Sequence, residues 1–272
     1  MLTPWLEEAQ ETLASNATAV TLFSVSGTLH LPYRDSAIFE IKADKDHDHG
    51  DDHDHDHGSD HGHDKDHDHG SDHAHDKDHD HGSDHGHDHG HTHDHAHDQS
   101  GEDPHAWLDP ENAKLWLGAM AAALSEADPE NAATYQANSA AAQARLSTLQ
   151  ADISAKLSAA EDISFVVYHD AYQYFENRFN VQTRGAISVS DASAPGAARV
   201  AELRDFAARE AIACVFAEPQ FNPTLINSVF EDANVTVSEL DPLGADIAAG
   251  ADLYPTLLMQ MADAMADCVN DG

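Results

Sequence analysis

A run of aspartate and histidine at residues 44–98 restricts what the rest of this chain can fold into. The run contains no aliphatic side chain larger than alanine and no phenylalanine, tyrosine or tryptophan. A unit of sequence DHDHGSDHGHDK at residues 54–65 recurs as DHDHGSDHAHDK at residues 66–77 and begins again at Asp78. Such a segment buries too little apolar surface to offset the entropy lost on ordering, so we expect it to be disordered. The remaining residues must therefore build the core without it.

The composition of this Asp/His tract predicts metal binding. Imidazole is the commonest side-chain metal ligand, and aspartate adds oxygen donors and a negative field. The tract lacks cysteine, which argues against a closed structural zinc site and for many weak, exchangeable sites. The alternative is an inert solvated linker, but the length of the tract and its interleaved acid favour metal capture. The candidate ligands here are His47, His49, His53, His55, His57, His61, His63, His67, His69, His73, His75, His79, His81, His85, His87, His89, His91, His93, His95 and His97.

The net charge of the chain limits the kinds of molecule that it can bind. The formal net charge is −37 over 272 residues, and the tract, with 19 Asp and three Lys, accounts for only −16 of it. A uniformly acidic protein repels nucleic acid and anionic membranes and favours cations. No apolar run is long enough to span a bilayer. Cys214 and Cys268 are either two free thiols or one disulfide of an oxidising compartment, and composition leaves both open.

The first 43 residues are typical of part of a domain. Residues 1–13 predict an amphipathic helix and residues 19–25 a strand. One helix and one strand form no layer of their own, and the segment has neither the basic start nor the cleavage site of a signal peptide. We therefore expect residues 1–43 to be the remnant of a lobe whose beginning lies upstream.

Two Asp-Pro pairs after the tract predict helix starts. Asp109 precedes Pro110 and Asp128 precedes Pro129, each an N-cap followed by a proline in the first turn. They open a helix of about 15 residues and one of about 30. The second, predicted at residues 129–160, has no internal glycine or proline. At about 1.5 Å per residue it would extend about 45 Å, enough to join two lobes.

The last 110 or so residues alternate between short apolar runs and helical patterns. Such alternation predicts a parallel sheet covered on both faces, and hence an α/β fold. The predicted strands are residues 163–168, 181–189, 213–217 and 235–240, and the predicted helices are residues 171–179, 195–211, 223–233 and 253–269.

Polar residues end three of these strands, where parallel sheets collect their ligands. His169 follows an apolar strand and is predicted to be a metal ligand. Asp170 and Glu218 are expected to be ordinary loop residues or helix caps, and Asp241 is a third candidate at an equivalent position.

Two further histidines lie outside the tract. His105 precedes a capped helix and has Trp107 beside it, so the residues alone leave open whether it binds a metal or is only packed against the indole. His30, in the loop GTLHLPY, is expected to be solvated.

With these residues identified, the chain resembles the zinc-specific solute-binding proteins of bacterial ABC importers, the ZnuA family. The resemblance runs from about residue 101 to the end and more loosely over residues 1–43. An Asp/His-rich loop just before its first motif also fits. The motifs are DPHAWLDP with His105, YHDAYQYFENRFN with His169, CVFAEPQF at residues 214–221 and LDPLG with Asp241.

The resemblance implies a two-lobed α/β solute-binding fold joined by a long rigid helix, with the N-terminal lobe incomplete here because the family's first metal histidine lies further upstream. His105 from one lobe and His169 and Asp241 from the other would hold Zn²⁺ as the transported ligand. Manganese-binding relatives generally have a carboxylate where His169 stands, and histidine there matches the softer preference of zinc.

The resemblance also implies a disulfide between Cys214 and Cys268 and hence an exported protein. The expected location is the periplasm, with the signal peptide upstream of this sequence. The expected partner is a cognate ABC permease in the inner membrane, and the protein is expected to be a monomer that transports rather than catalyses. The predicted organisation is a lobe remnant at 1–43, the metal-binding loop at 44–100, the end of the first lobe at 101–128, the linking helix at 129–161 and an α/β lobe at 162–272.

Two other functions fit some of these residues. An intracellular zinc or nickel storage chaperone would use the tract, and free thiols at Cys214 and Cys268 would favour it. A zinc hydrolase would place the metal on His105, His169 and Asp241 with Glu218 as the base, since two histidines and a carboxylate form a catalytic ligand set. The chain contains no HExxH motif, which argues against the hydrolase.

Overall fold

The computed structural model describes residues 9–39, 101–158, 165–188, 196–230 and 235–271, apart from positions 11, 15, 16, 35, 37, 211 and 213. The Asp/His tract, with all 20 of its histidines and its predicted disorder, lies outside the described residues. The described residues all belong to one compact unit formed by residues 1–42 and 98–272.

A four-stranded parallel sheet carries the second half of the chain. Its strands are β1 (Phe165–His169), β2 (Thr183–Ser188), β3 (Cys214–Ala217) and β4 (Thr236–Glu239), in the spatial order β2-β1-β3-β4. This confirms the predicted parallel sheet. The order reverses direction between β1 and β3, so these strands form the topological switch point where α/β sheets bind ligands.

The described residues contain six α-helices with defined bounds and three short 3₁₀ turns. The helices are α1 (Pro110–Ala127), α2 (Ala132–Leu157), α3 (Gln173–Phe179), α4 (Ala197–Arg209), α5 (Pro223–Phe230) and α6 (Leu253–Asp271), and the turns are Leu22–Ser24, Ala106–Leu108 and Pro129–Asn131. None of the helices in the described part of the chain combines the length and the apolarity that a bilayer crossing needs.

The two predicted helix N-caps, Asp109 and Asp128, accept different hydrogen bonds in the structure. Asp109 accepts a hydrogen bond from the Glu111 amide at 2.8 Å and caps α1 as expected. Asp128 instead accepts from the side chains of Asn131 and Tyr135. The turn that follows it is 3₁₀, and α2 begins three residues later than predicted. With 26 residues, α2 is about 39 Å long.

Two sequence expectations are wrong. The strand predicted at residues 19–25 is absent: residues 22–24 form a 3₁₀ turn, and Ala19 and Val20 are exposed. An extended segment needs a neighbouring strand to pair its backbone groups, and nothing in the described residues pairs with this one. The strand β4 is not apolar on both faces, because it forms the sheet edge and Val237 remains 45% exposed.

The expected amphipathic helix at residues 1–13 is described only in part. Ala9, Gln10, Thr12 and Leu13 are helical, and the remaining positions lie outside the described residues. Leu13 is 84% exposed, so its side chain does not join a buried apolar face.

The sheet separates two hydrophobic clusters. Alternate residues of a strand point to opposite faces, so Phe165 and Val167 pack on one side with Leu157 of α2. Val166 and Val215 pack on the other side with side chains of α4 and α5. Both faces of the central strands are therefore shielded from water, and the polar residues at the carboxyl ends of these strands lie at the edge of the core.

A disulfide joins Cys214, the first residue of β3, to Cys268 in α6. The bond resolves the choice between free thiols and a bridge that composition left open. The Cα atoms are 6.1 Å apart and the residues are separated by 54 positions. By the chain-entropy model, closing a loop of that size stabilises the folded state by about 4 kcal/mol.

A buried ionic cluster attaches the segment before the tract to the sheet. The guanidinium of Arg34 donates to both oxygens of Asp170 at 2.9–3.0 Å and to both oxygens of Glu176 at 2.9 Å, and it lies 3.8 Å from the ring centre of Phe39. Burial raises the pKa of Asp170, and the Arg34 hydrogen bonds oppose that shift. One cation thus compensates two carboxylates removed from water.

Replacing this cation tests the attachment. Arg34→Met removes the cation that both Asp170 and Glu176 contact and leaves these carboxylates buried, so we expect the unfolding free energy at neutral pH to fall by about 3–5 kcal/mol in urea titrations. The triple variant with Asp170→Asn and Glu176→Gln removes the charges together and should recover most of the loss. Equal stability of the single and triple variants would contradict this account.

Candidate metal site

The first candidate ligand, His169, ends the central strand β1. The register pairs Val167 with Phe216, which brings Glu218 beside His169 two residues further along. Both side chains are buried, and the His169 Nδ1 lies 2.6 Å from the Glu218 carboxylate, which also accepts from the His169 backbone amide at 3.1 Å. Neighbouring strand ends therefore fix both the position and the orientation of this imidazole.

His105 is held in a corresponding way by a carboxylate of its own turn. Asp103 is fully buried and accepts from the His105 backbone amide at 2.9 Å, while the two side chains meet at 2.6 Å through Nδ1. The other Asp103 oxygen accepts from Gln173 at 2.6 Å, and its carbonyl accepts from the Tyr174 hydroxyl at 2.8 Å. Asp103 thus links the His105 turn to helix α3.

The two imidazoles converge through their remaining nitrogens. The Nε2 atoms of His105 and His169 are 3.4 Å apart, and the ring centres are 5.3 Å apart. An ionised carboxylate only accepts hydrogen bonds, so an imidazole that donates to it from Nδ1 has, when the ring is neutral, a lone pair at Nε2 for a cation. Two nitrogens bound to one tetrahedral zinc at 2.0–2.1 Å lie about 3.3–3.4 Å apart. The pair therefore fits a tetrahedral cation.

Aromatic rings enclose the pair. The Trp107 ring centre lies 5.2 Å from that of His105, and the Phe221 ring meets His169 edge-on at 5.6 Å. Phe221 also stacks on Tyr168 at 4.2 Å. These rings limit access of water to the imidazoles, which strengthens the interaction of the nitrogens with a cation.

The third candidate, Asp241, is near this region but is not gathered with the pair. Its carboxylate accepts from Gln220 Nε2 at 2.7 Å, from the Leu243 amide at 2.9 Å and from the Ala245 amide. Among the residues that the structure describes, no three His, Cys, Asp or Glu side chains are arranged to hold a metal ion. The structure therefore brings together His105 and His169, with Asp241 occupied by other partners.

The backbone on each side of Asp241 is tied to the surroundings of the pair. The Leu240 carbonyl accepts from the Tyr172 hydroxyl at 3.0 Å, and the Pro242 carbonyl accepts from the Trp107 indole at 3.0 Å. The Trp107 carbonyl accepts from the Tyr254 hydroxyl at 2.7 Å. The loop that carries Asp241 therefore packs beside the aromatic residues of both histidines.

Several carboxylates have roles that sequence reasoning missed. Glu218 and Asp170, expected to be loop residues or caps, orient His169 and pair with Arg34 respectively. Asp103 orients His105, and the only sequence signal for this role is its place two residues before that candidate ligand. His30 is on the surface as expected, but its Nδ1 lies 3.1 Å from Glu102.

Comparison with known proteins agrees with the resemblance seen in the motifs. A family model described as zinc-uptake complex component A, periplasmic (ZnuA), matches residues 1–268. The high-affinity zinc uptake system protein ZnuA of Brucella suis is 44% identical over 168 residues, which are 62% of this chain and 50% of that protein. The protein of the same name from Paracoccus denitrificans is 42% identical over 171 residues, 62% of this chain and 52% of that protein. The chain thus spans about half the length of the curated relatives it matches.

Solved structures agree on the fold. A crystal structure of ZnuA is 29% identical with a TM-score of 0.51 and covers 60% of this chain and 62% of that one. The periplasmic zinc-binding protein TroA of Treponema pallidum is 23% identical with a TM-score of 0.56, covering 63% of this chain and 65% of that one. The second likeness supports the architecture alone: a parallel sheet, its covering helices and one long helix.

The orientation of His169 by Glu218 can be tested directly. In Glu218→Gln the acceptor loses its charge, so we expect Zn²⁺ affinity to fall by about 10–100-fold, as for other partners that orient a ligating histidine. Isothermal titration against a chelator of known affinity gives the value. Glu202→Gln makes the same charge change on the exposed face of α4 and should leave affinity unchanged. An equal effect of the two variants would mean that only net charge matters.

Proposed function

The chain belongs to the ZnuA family, and from that membership we propose that it captures zinc in the periplasm for delivery to an ABC permease in the inner membrane. The observation that supports this most strongly is the 3.4 Å separation of the His105 and His169 Nε2 atoms, because it matches the edge of a zinc tetrahedron. Curated relatives at 35–44% identity are named high-affinity zinc uptake system proteins.

The proposed ligand set is His105, His169 and Asp241. The two imidazoles supply nitrogen donors whose other ring nitrogens are held by buried carboxylates, an arrangement that raises ligand basicity and fixes the rings. Asp241 would add a carboxylate oxygen through the lone pair that its present hydrogen bonds leave free on Oδ2. Nitrogen-rich coordination of this kind suits zinc better than manganese.

The positions of the donors suit a receptor. His105 comes from a turn before α1, while His169 comes from the sheet, so the cation would join parts of the chain that are distant in sequence. A ligand set that spans two parts can be dismantled by a relative movement of them, without any chemical change in the bound ion. This is what capture followed by transfer to a permease requires.

We further propose that the Asp/His tract gathers zinc or senses its abundance. Its 20 histidines recur as His-x-His pairs between aspartates, which gives many similar donor sets of modest affinity. Such a segment raises the local supply of a cation without competing with one tight site.

The described contacts support zinc capture over a storage chaperone and over a zinc hydrolase. The Cys214–Cys268 disulfide favours an oxidising compartment and so supports export over intracellular storage. Glu218, the base that the hydrolase would need, is buried and engaged with the Nδ1 and the backbone amide of His169. That contact supports an orienting role over proton transfer to a bound water.

Removing both imidazoles should abolish tight zinc uptake. In a form lacking residues 44–98, the variant His105→Ala/His169→Ala keeps no nitrogen donor at the site. We therefore expect its Zn²⁺ affinity to fall by more than the roughly 100-fold that loss of an orienting partner can cause. His30→Ala, which removes a surface histidine, is the matched control. One-to-one zinc binding that survives the double replacement would reject the proposed site.

The tract should determine how many zinc ions bind but not how tightly the first one does. Deleting residues 44–98 should lower the zinc-to-protein ratio at saturation while the tightest affinity changes by less than about threefold. A length-matched chain with the tract histidines replaced by asparagine separates the effect of imidazole from that of chain length. Metal analysis after equilibrium dialysis measures the ratio, and an unchanged ratio would exclude a gathering role.

A further inference from the structure

The four residues that follow β3 contact both candidate ligands of the α/β region. Glu218 accepts from the His169 Nδ1 and backbone amide, and Phe221 packs edge-on against the same imidazole. Between them, Gln220 donates its side-chain amide to Asp241 at 2.7 Å. Residues 218–221, here called the EPQF loop, therefore connect the histidine at the end of β1 with the carboxylate after β4.

The hydrogen bonds of Asp241 limit what its carboxylate can offer a cation. Oδ1 accepts two bonds, one from Gln220 Nε2 and one from the Leu243 amide, while Oδ2 accepts one, from the Ala245 amide. A carboxylate oxygen has two lone pairs, so Oδ1 is filled and Oδ2 retains one. While these bonds persist, Asp241 can give a metal a single oxygen and cannot bind it through both.

Gln220 differs from the other two donors because it comes from another strand connection. The amides of Leu243 and Ala245 belong to the same loop as Asp241 and move with it. Gln220 extends from the loop after β3, the neighbour of β4 in the sheet. It therefore fixes the carboxylate relative to Glu218 and His169, and it is the donor that a substitution can remove without altering the backbone.

We propose that Gln220 is a positioning residue that restricts Asp241 to one-oxygen coordination and thereby favours zinc over cations of higher coordination number. The proposal rests on the zinc-capture function proposed above and deepens it. Two imidazole nitrogens, one carboxylate oxygen and one further position complete a tetrahedron, the usual geometry of zinc. Manganese prefers six mainly oxygen ligands, and a carboxylate free to bind through both oxygens would serve it better.

The test compares metal selectivity in chains that span residues 1–272 and so retain the tract. Gln220→Met keeps the length of the side chain and removes its donor, so Oδ1 regains a lone pair. We expect Mn²⁺ affinity to rise by about tenfold while Zn²⁺ affinity changes by less than about threefold, so the zinc-to-manganese ratio falls. Titration in a chelator buffer keeps the free metal concentration low, so that only the high-affinity site binds metal. X-ray absorption should show more oxygen neighbours around manganese in the variant.

Two further variants separate positioning from general effects. Gln260→Met removes a glutamine that lines the same cavity of about 300 Å³ as Asp241 but is not among the hydrogen-bond donors that Asp241 has in the described residues, and it should leave the ratio unchanged. Gln220→Lys restores a donor at the original position and should bring the ratio back towards that of the parent, even if its charge weakens both affinities. Thermal unfolding of each metal-free chain reports any structural damage separately from selectivity.

The outcomes distinguish this proposal from the function on which it rests. If the parent binds zinc through His105 and His169 but Gln220→Met leaves the ratio unchanged, or Gln260→Met lowers it equally, the role of Gln220 is overturned and zinc capture stands. If the parent shows no zinc binding that depends on the two histidines, both proposals fall. A lower ratio in Gln220→Met alone, restored by lysine, supports the positioning role.

Discussion

Two imidazole nitrogens that face each other at 3.4 Å are the constraint around which the described residues are arranged. Both rings are buried, so their positions depend on support from neighbouring side chains. Asp103 and Glu218 give that support, because each accepts from Nδ1 and from the backbone amide of the same histidine. Both halves of the site thus use the same arrangement, a buried carboxylate that holds a histidine. One histidine lies in a turn and the other at the end of a strand.

Buried charge also joins the segments on either side of the tract to the sheet region. Arg34, which precedes the tract, pairs with Asp170 and Glu176, and Arg178 of α3 pairs with Asp109 at 2.7–2.8 Å. The chain has only 13 Lys and Arg residues against 50 Asp and Glu residues. Two of these few cations are nevertheless paired with buried carboxylates. These contacts set the position of the His105 turn relative to β1.

The elements were predictable where local sequence controls the backbone. The Asp109-Pro110 pair marked the start of α1, and apolar runs marked the strands, most clearly β1, whose five residues are all buried. Residues 19–25 had a strand pattern as well, but pairing depends on partners distant in sequence, which a local pattern does not contain. The same limit applied at the site: His169 stood out at a strand end, whereas its contact with Glu218, 49 residues away, arises from the parallel register of β1 and β3.

The bridge between Cys214 and Cys268 has a consequence for the far end of β3. The strand is four residues long, with the cysteine at its first position, and Glu218 follows its last residue. A slip of one residue along β1 would turn every side chain to the opposite face and bring Ala217 or Pro219, neither of which can accept a hydrogen bond through its side chain, level with His169. The disulfide at the start of β3 therefore helps to keep Glu218 level with His169 at the end of the strand. Oxidation of the two thiols thus also preserves the orientation of this candidate metal ligand.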